Sequence, residues 1–455
     1  MPKITVYIAA YNYATYIAES IDSVIKQTHS DWELIIINDG STDNTKEVIE
    51  QYDHPNIRVV HQENKGLNVT NNIALRLARG EYIMRLDADD FLDENALLIL
   101  SSTLDKKKDV DLVYPDYYLV DTAGKVLDLV RRKKIDEEVQ LLDLPAHGAC
   151  TIFRTSILRQ LGGYIEDYSC QDGYELWLRF IQRFKPYNLN IPLFYYRQHS
   201  ESLTTNESRI LETRRQIKRD FVSKNAHINT PKVLAVIPAS RNSVYPKNDP
   251  LIELAGKPLI WYTIEEAQKS KLIDKIVVTS DDEEVLSYIS GNEKIIGVKR
   301  SNDPQKNNIK LEDVLLETLD SVKDEHSYIP DFVCSLFVNT PLRKAKHIDW
   351  AIDTLSIFNL DSVISVEEIP MICYQHRENG LLPIAGSVRG VRLERDAIYK
   401  ENGAVMIFNV SSLEEENFLG KSVGHIQMMP EESIKINSDY EFWLAEKIIM
   451  DYISK

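Results

Sequence analysis

The sequence predicts an α/β protein of two tandem domains. Apolar, β-branched runs alternate with segments of helical spacing along all 455 residues, and the alternation halts at a polar break near residue 230 before starting again. In the first half, residues 4–10 read as a strand and 17–27 as a helix with Ile17, Ile21, Val24 and Ile25 on one face. Residues 33–37 are the next strand, and 38–43 form a polar turn running into a helix N-cap. Helix at 45–52, strand at 57–60 and helix at 67–78 follow. This rhythm predicts a mostly parallel, Rossmann-like sheet with helices on both faces. Beyond Asn229-Thr230-Pro231 it resumes, with strands at 233–238, 275–279, 332–338 and 362–366 and helices at 283–289 and 347–357.

Composition narrows the function classes. The chain is 43% hydrophobic and 27% charged without a low-complexity tract, as soluble globular proteins are, and it is too long for one ordinary core. A formal charge of −17 argues against a general nucleic-acid binder but leaves a local nucleotide site open. Cys150, Cys170, Cys334 and Cys373 are scattered, so neither a zinc site nor a disulfide framework is expected. No apolar run approaches the ~18 residues of a membrane span. Met1-Pro2-Lys3-Ile4 leads straight into the first strand, so no signal peptide and a cytoplasmic location are expected. Residues 206–225 carry Arg209, Arg214, Arg215, Lys218, Arg219 and Lys224 on a helical pattern. They read as a solvated connector or as a contact with anionic lipid at the inner face of a membrane.

Asp87-Ala88-Asp89-Asp90 directly follows the apolar run 82–86. Open α/β sheets place ligand chemistry at such strand ends. In an extended segment Asp87 and Asp89 project to the same side, and carboxylates that close need a divalent cation or dense hydrogen bonding. A Mg²⁺ or Mn²⁺ held by so few carboxylates keeps positions open for a diphosphate. The alternative is an acidic turn capping the next helix through Asp90 or Asp93.

The segments Ile8-Ala9-Ala10-Tyr11-Asn12, Ser23-Val24-Ile25-Lys26-Gln27-Thr28, Ile37-Asn38-Asp39-Gly40-Ser41, Asn64-Lys65-Gly66 and Leu86-Asp87-Ala88-Asp89-Asp90 occur in the order seen in family 2 glycosyltransferases, which 1–205 resembles. The resemblance implies a GT-A domain that transfers a sugar, with inversion, from a nucleotide sugar donor to a hydroxyl-bearing acceptor (glycan, lipid-linked glycan or protein). Ala9, Tyr11 and Asp39 would bracket the nucleotide, although Tyr11 also reads as a core residue and Asp39 as an Asx-turn. Asp87 would hold ribose or the metal's water shell, Asp89 the Mn²⁺ or Mg²⁺ itself, and His199 in Tyr196-Arg197-Gln198-His199 would meet phosphate or metal. The base resembles Asp172 in Gln171-Asp172-Gly173-Tyr174-Glu175-Leu176-Trp177-Leu178-Arg179, with Glu175 in reserve; Asp172 also reads as that helix's N-cap. His147-Gly148-Ala149-Cys150 and Leu161-Gly162-Gly163-Tyr164 resemble an acceptor-side wall.

Residues 206–231 read as the connector, and 232–455 resembles the cytidylyltransferases that activate acidic sugars. The matching pieces are Ile237-Pro238-Ala239, Ala255-Gly256-Lys257-Pro258-Leu259, Asn339-Thr340-Pro341-Leu342-Arg343 and Glu401-Asn402-Gly403-Ala404. Arg241, Ser243, Lys247, Arg343, Arg392 and Asn402 are its candidate ligand residues. Ser240 and Val244 stand where the family has phosphate-gripping Arg and Lys, Phe337 replaces a Gln, and Lys435-Ile436-Asn437 replaces an Asp-Ile-Asp metal pair. The resemblance thus implies a nucleotidyltransferase-like domain with altered or lost catalysis, and a homodimer through it. Two other readings stay open: a bifunctional enzyme whose rear domain activates a sugar phosphate with CTP, and a non-catalytic nucleotide sensor or scaffold.

Overall fold

The computed structural model describes residues 1–133, 148–168, 172–199, 207–225, 228–241, 249–300, 310–369, 371, 373–377, 380–384, 398–415 and 417–453. The chain divides into two compact units, Met1–Ile217 and Lys218–Lys455.

The front unit runs β1 (Ile4–Ala10), α1 (Ile17–Ile25), β2 (Trp32–Asp39), α2 (Thr45–Ile49), β3 (Ile57–Gln62), α3 (Leu67–Leu77), β4 (Tyr82–Asp87), β5 (Phe91–Leu92) and α4 (Ala96–Lys106). It continues with β6 (Leu112–Val120), β7 (Val126–Val130), β8 (Ile152–Arg154), α5 (Thr155–Gln160), α6 (Asp172–Ile181), β9 (Pro186–Arg197) and α7 (Glu207–Lys224), which crosses the division between units. Among the described residues these strands form one nine-stranded sheet in the order β3-β2-β1-β4-β8-β6-β9-β5, with β7 on β6. The alternation of strand side chains explains its two cores. Ile4, Val6, Ile8, Leu34 and Ile36 pack with α1 and α4 on one face, while Tyr7, Ile35, Ile37 and Ile83 meet Ala74, Leu75, Leu158 and Leu176 on the other.

The expected mostly parallel sheet is instead mixed. β3, β2, β1 and β4 are parallel, but β8 runs antiparallel to both β4 and β6. Hydrophobic periodicity reports burial and not strand direction, so the reversal of a three-residue strand leaves no trace in it.

The rear unit contains β10 (Val233–Ala239), β11 (Glu253–Leu254), β12 (Lys257–Pro258), α8 (Leu259–Lys269), β13 (Lys275–Ser280), α9 (Glu283–Ile289), β14 (Ile295–Lys299), α10 (Leu311–His326), β15 (Phe332–Ser335) and α11 (Ala345–Phe358). Then come β16 (Ser362–Ile369), β17 (Tyr374–Arg377), β18 (Gly380–Pro383), β19 (Ile398–Asn409), β20 (Val423–Gln427) and α12 (Asp439–Ile453). Its main sheet is ordered β14-β13-β10-β15-β19-β16-β20, with β19 antiparallel to β15 and β16. The strand expected at 332–338 ends at Ser335 because the Phe337 carbonyl turns to accept from Thr340 Oγ1 at 2.8 Å and from Arg343 Nη1 at 3.3 Å.

The connector's charges face protein more than the sequence reading allowed. Arg214 lies 5.0 Å over the Tyr174 ring in the front unit. In the rear unit Lys218 is buried against Thr354 at 3.1 Å and Arg219 pairs with Asp353 at 3.3 Å. Among the described residues no helix is long and apolar enough to cross a membrane.

Candidate active site

The strand order places β2 on one side of β1 and β4 on the other, so consecutive connections depart in opposite directions at the β1/β4 edge. Open α/β sheets leave a ligand crevice at that point. Ala9 lies there, in register with Ile37 on one side and Asp87 on the other. Beyond β1, Asn12 takes a left-handed φ of 63°. From that conformation its N–H donates to Ser41 Oγ at 3.0 Å, and its Oδ1 accepts from the Thr42 N–H at 2.7 Å. The loops after β1 and β2 are thereby tied together, and Tyr11, 45% exposed, sits on their rim and not in the core.

Asp39 ends β2 buried. Its Oδ1 accepts from Gln62 Nε2 at 2.7 Å and the Lys65 N–H at 2.8 Å, and its Oδ2 from the Gly66 N–H at 2.9 Å. The carboxylate thus fixes the loop into α3 and keeps one acceptor site on Oδ2 for a ring N–H. The side-chain turn expected at Asp39 belongs to Asn38, whose Oδ1 accepts from the Ser41 N–H at 3.0 Å.

Extended geometry stops at Asp87, and the Asp90 N–H closes a turn onto the Asp87 carbonyl at 3.2 Å. The acidic residues therefore go separate ways. Asp87 pairs with Arg85 Nε at 2.8 Å, and Asp89 Oδ2 meets His199 Nε2 at 2.8 Å. His199 stacks on Tyr16 and meets Tyr13 edge-on. Burial, and then the charge of Asp87, push the Asp89 carboxyl above its ordinary range, against the pull of His199. Asp90 is buried with Oδ1 accepting from the Arg197 N–H at 3.0 Å and Oδ2 unpartnered, so burial followed by its acidic neighbours drives it well upward. Neither Asp90 nor Asp93 caps α4. Asp93 Oδ1 accepts from the Asn95 N–H at 3.0 Å, one residue before the helix.

Arg197, which sequence reasoning passed over, organises this turn. Its guanidinium is buried between Tyr16 and Phe91, donating to the carbonyls of Asp89 at 2.9 Å, Asp121 at 3.2 Å and Thr122 at 3.0 Å and to Glu19. The set at the edge (two carboxylates and an imidazole) suits Mn²⁺ or Mg²⁺. Among the described residues no three acidic, His or Cys side chains converge into a cage. The fit is that of an open site in which Asp89 and His199 would hold the ion and a diphosphate would complete it.

α3 presents asparagines where a helix normally carries apolar residues. Asn68 Nδ2 donates to the carbonyls of Ile165 at 2.8 Å and Tyr168 at 2.9 Å. Asn72 Nδ2 donates to the Tyr164 carbonyl at 2.8 Å, and its Oδ1 accepts from the Tyr164 N–H at 2.8 Å. These contacts pin the loop that leads to α6. Asp172 opens that helix, its side chain lying outside the described residues, as do His147 and Gln171. Glu175 does not fit a base. It is 6% exposed and held by Arg179 through two contacts of 2.6 Å, while Arg179 also grips the carbonyls of Leu161 and Gly163. A small cavity of about 30 Å³ lies between β4 and α6, lined by Arg85, Gly148, Thr151, Tyr164, Gly173 and Trp177 among others. A Cβ on Gly148 would stand 2.1 Å from Arg85 Nη2, so any larger residue there would displace that guanidinium from its present position. Asn72→Ala removes both of its bonds to the Tyr164 backbone, at a cost of about 1–3 kcal/mol. Urea denaturation should show the loss as a lowered unfolding midpoint.

In the rear unit Arg241 is ringed by acids, bonding Asp249 at 3.0 Å and Glu284 and lying 3.9 Å from Asp282. Arg343 is buried against the carbonyls of Phe337 and Ala404. Asn402 is committed to the core: Oδ1 accepts from Ser365 Oγ and the Ala404 N–H, and Nδ2 donates to Ser433 Oγ. Ser243, Val244, Lys247 and Arg392 lie outside the described residues.

Fold and edge chemistry define a two-domain α/β protein with a metal-suited acidic edge in its front half. The glycosyl transferase family 2 model matches residues 5–162 and the cytidylyltransferase model residues 234–369. An uncharacterized glycosyltransferase of Rickettsia typhi is 30% identical over 233 residues, spanning 49% of this chain and 72% of that protein. The chain belongs to glycosyltransferase family 2 through its front domain and carries a cytidylyltransferase domain behind it. Chondroitin synthase of Escherichia coli is 36% identical over 129 residues, 28% of this chain; the chain spans only 19% of that relative and 13% of two Pasteurella multocida synthases. Among solved structures, S. aureus TarS in complex with UDP-GlcNAc matches at 20% identity and a TM-score of 0.41, over 48% of this chain and 66% of that one. A Pyrobaculum calidifontis mannosyltransferase in complex with GDP-Man and Mn²⁺ matches at 20% and 0.40, over 49% and 65%.

Proposed function

We propose that the front domain transfers a sugar from a nucleoside diphosphate sugar to an acceptor hydroxyl, with inversion, and that the rear domain is a ligand-binding relative of the cytidylyltransferases. The pairing of Asp89 with His199 at the β1/β4 switch point carries this reading. Asp39 and the tied loops after β1 and β2 would receive the nucleoside, and Asp87, steadied by Arg85, the ribose. Asp89 and His199 would hold Mn²⁺ or Mg²⁺, which when bound offsets charge on the departing diphosphate. Asp172, at the first turn of α6, would take the acceptor's proton. The relatives named as polysaccharide synthases support a growing bacterial glycan as the acceptor.

Asp172→Asn should preserve donor binding, measured by calorimetry with Mn²⁺ present, and lower kcat by about 10²–10⁴-fold. Equal loss of binding and turnover would remove Asp172 from the role of base.

A further inference from the structure

The rear domain's missing metal pair has a physical replacement. Lys435 Nζ lies 5.2 Å over the Phe337 ring and is partly buried. Among the described residues no carboxylate pairs with it. Gly403, at a φ of +70°, makes the room: a Cβ there would come 3.1 Å from Lys435 Nζ and 3.2 Å from Phe337 Cδ2. Arg343 approaches the same residues from the core, bonding the carbonyls of Phe337 and Ala404, while its Nε and Nη2 make no hydrogen bond among the described residues. Two cations therefore flank Phe337 and the 403–404 backbone, and among the described residues no carboxylate forms an ion pair with either, Glu266 acting on Arg343 only through its field. Burying cations that way is costly unless an anion joins them.

The segment bearing Lys435 is held firmly. His347 donates to Glu432 at 3.1 Å, Lys346 pairs with Glu432 at 2.9 Å, and Asn402 reaches Ser433 at 3.0 Å. The Ile436 N–H donates to the Asn339 carbonyl at 2.8 Å, just past the end of β15. The ammonium is thus fixed beside the edge where the parallel strands β13, β10 and β15 end, the usual ligand crevice of such sheets. A divalent cation does not fit here. Lys435 repels it, and the Asn437 carboxamide is neutral and bonded to the Lys435 carbonyl at 3.3 Å.

We infer that the rear domain binds the phosphate group of a small phosphorylated ligand without a divalent metal, Lys435 supplying the positive charge. This rests on the reading of the rear domain as a ligand binder. The test is a thermal-shift and calorimetric comparison on the full chain with CTP, CMP and inorganic phosphate, in EDTA and in Mg²⁺. EDTA silences the metal-assisted front site. At least one probe should bind with the same Kd in both buffers. Lys435→Met, which keeps the packing over Phe337, should weaken that binding roughly 10–100-fold, the usual range for a charge-assisted hydrogen bond. Lys435→Arg should retain most of it. Lys435→Asp combined with Asn437→Asp should make binding depend on Mg²⁺. Wild-type binding that requires Mg²⁺, or that survives Lys435→Met unchanged, overturns the inference but leaves a ligand-binding domain. No binding of any probe removes that reading as well.

Discussion

Asp89→Asn is expected to cut the proposed sugar transfer sharply while leaving the protein as stable as wild type or more so. Asp89 is the carboxylate placed against His199 where the diphosphate would lie. Losing the ligand that anchors a charge-stabilising ion lowers kcat/KM by about 10²–10³-fold. Stability moves the other way because burial and the neighbouring Asp87 already oppose the charged form of Asp89. An amide removes the repulsion and keeps the shape. Steady-state kinetics with thermal melts, side by side, check both halves, and a variant with wild-type turnover would sink the assignment.

Asp90 supplies the contrast. Its folded pKa lies above its unfolded value, mainly through burial, so its neutral form favours the fold at low pH. That contribution is lost as pH rises through the folded pKa. Asp90→Asn mimics the neutral form, so the wild type loses stability relative to this variant toward alkaline pH. Two adjacent aspartates should therefore separate cleanly, one needed for turnover and the other for the turn alone.

What was legible in the chain follows from what local pattern can encode. β1 and α9 stand where alternation and helical spacing put them. The acidic edge was visible because an apolar run ended in carboxylates. The Glu175–Arg179 pair was readable too, since opposite charges four apart on a helix meet, and that spacing should have counted against Glu175 as a base. The asparagines of α3 left another signal: poor helix formers on a buried face mark a local conflict that something nonlocal resolves. Nothing local signalled Arg197, whose hydrogen-bond partners lie 75 to 178 residues away along the chain.

Arg197→Lys is expected to destabilise the front domain by about 3–5 kcal/mol, the range for breaking a buried charged network by removing one partner. The ammonium retains the charge but loses the planar fork that reaches three carbonyls and Glu19 together. The Asp89 carbonyl is among those released, so the turn that aims its carboxylate at His199 loosens and turnover falls with stability. Glu19→Gln should cost far less, because the Glu19 side chain is 51% exposed and solvent screens its share of the pair. Urea titration of both variants separates the contributions. A large loss for Arg197→Lys beside a small one for Glu19→Gln locates the clamp in the backbone contacts. Equal losses would locate it in the ion pair, and an Arg197→Lys midpoint equal to wild type would mean that the turn is held by Asp90 and the Ser20 hydroxyl, which donates to the Ala88 carbonyl at 2.9 Å and the Asp90 carbonyl at 2.6 Å.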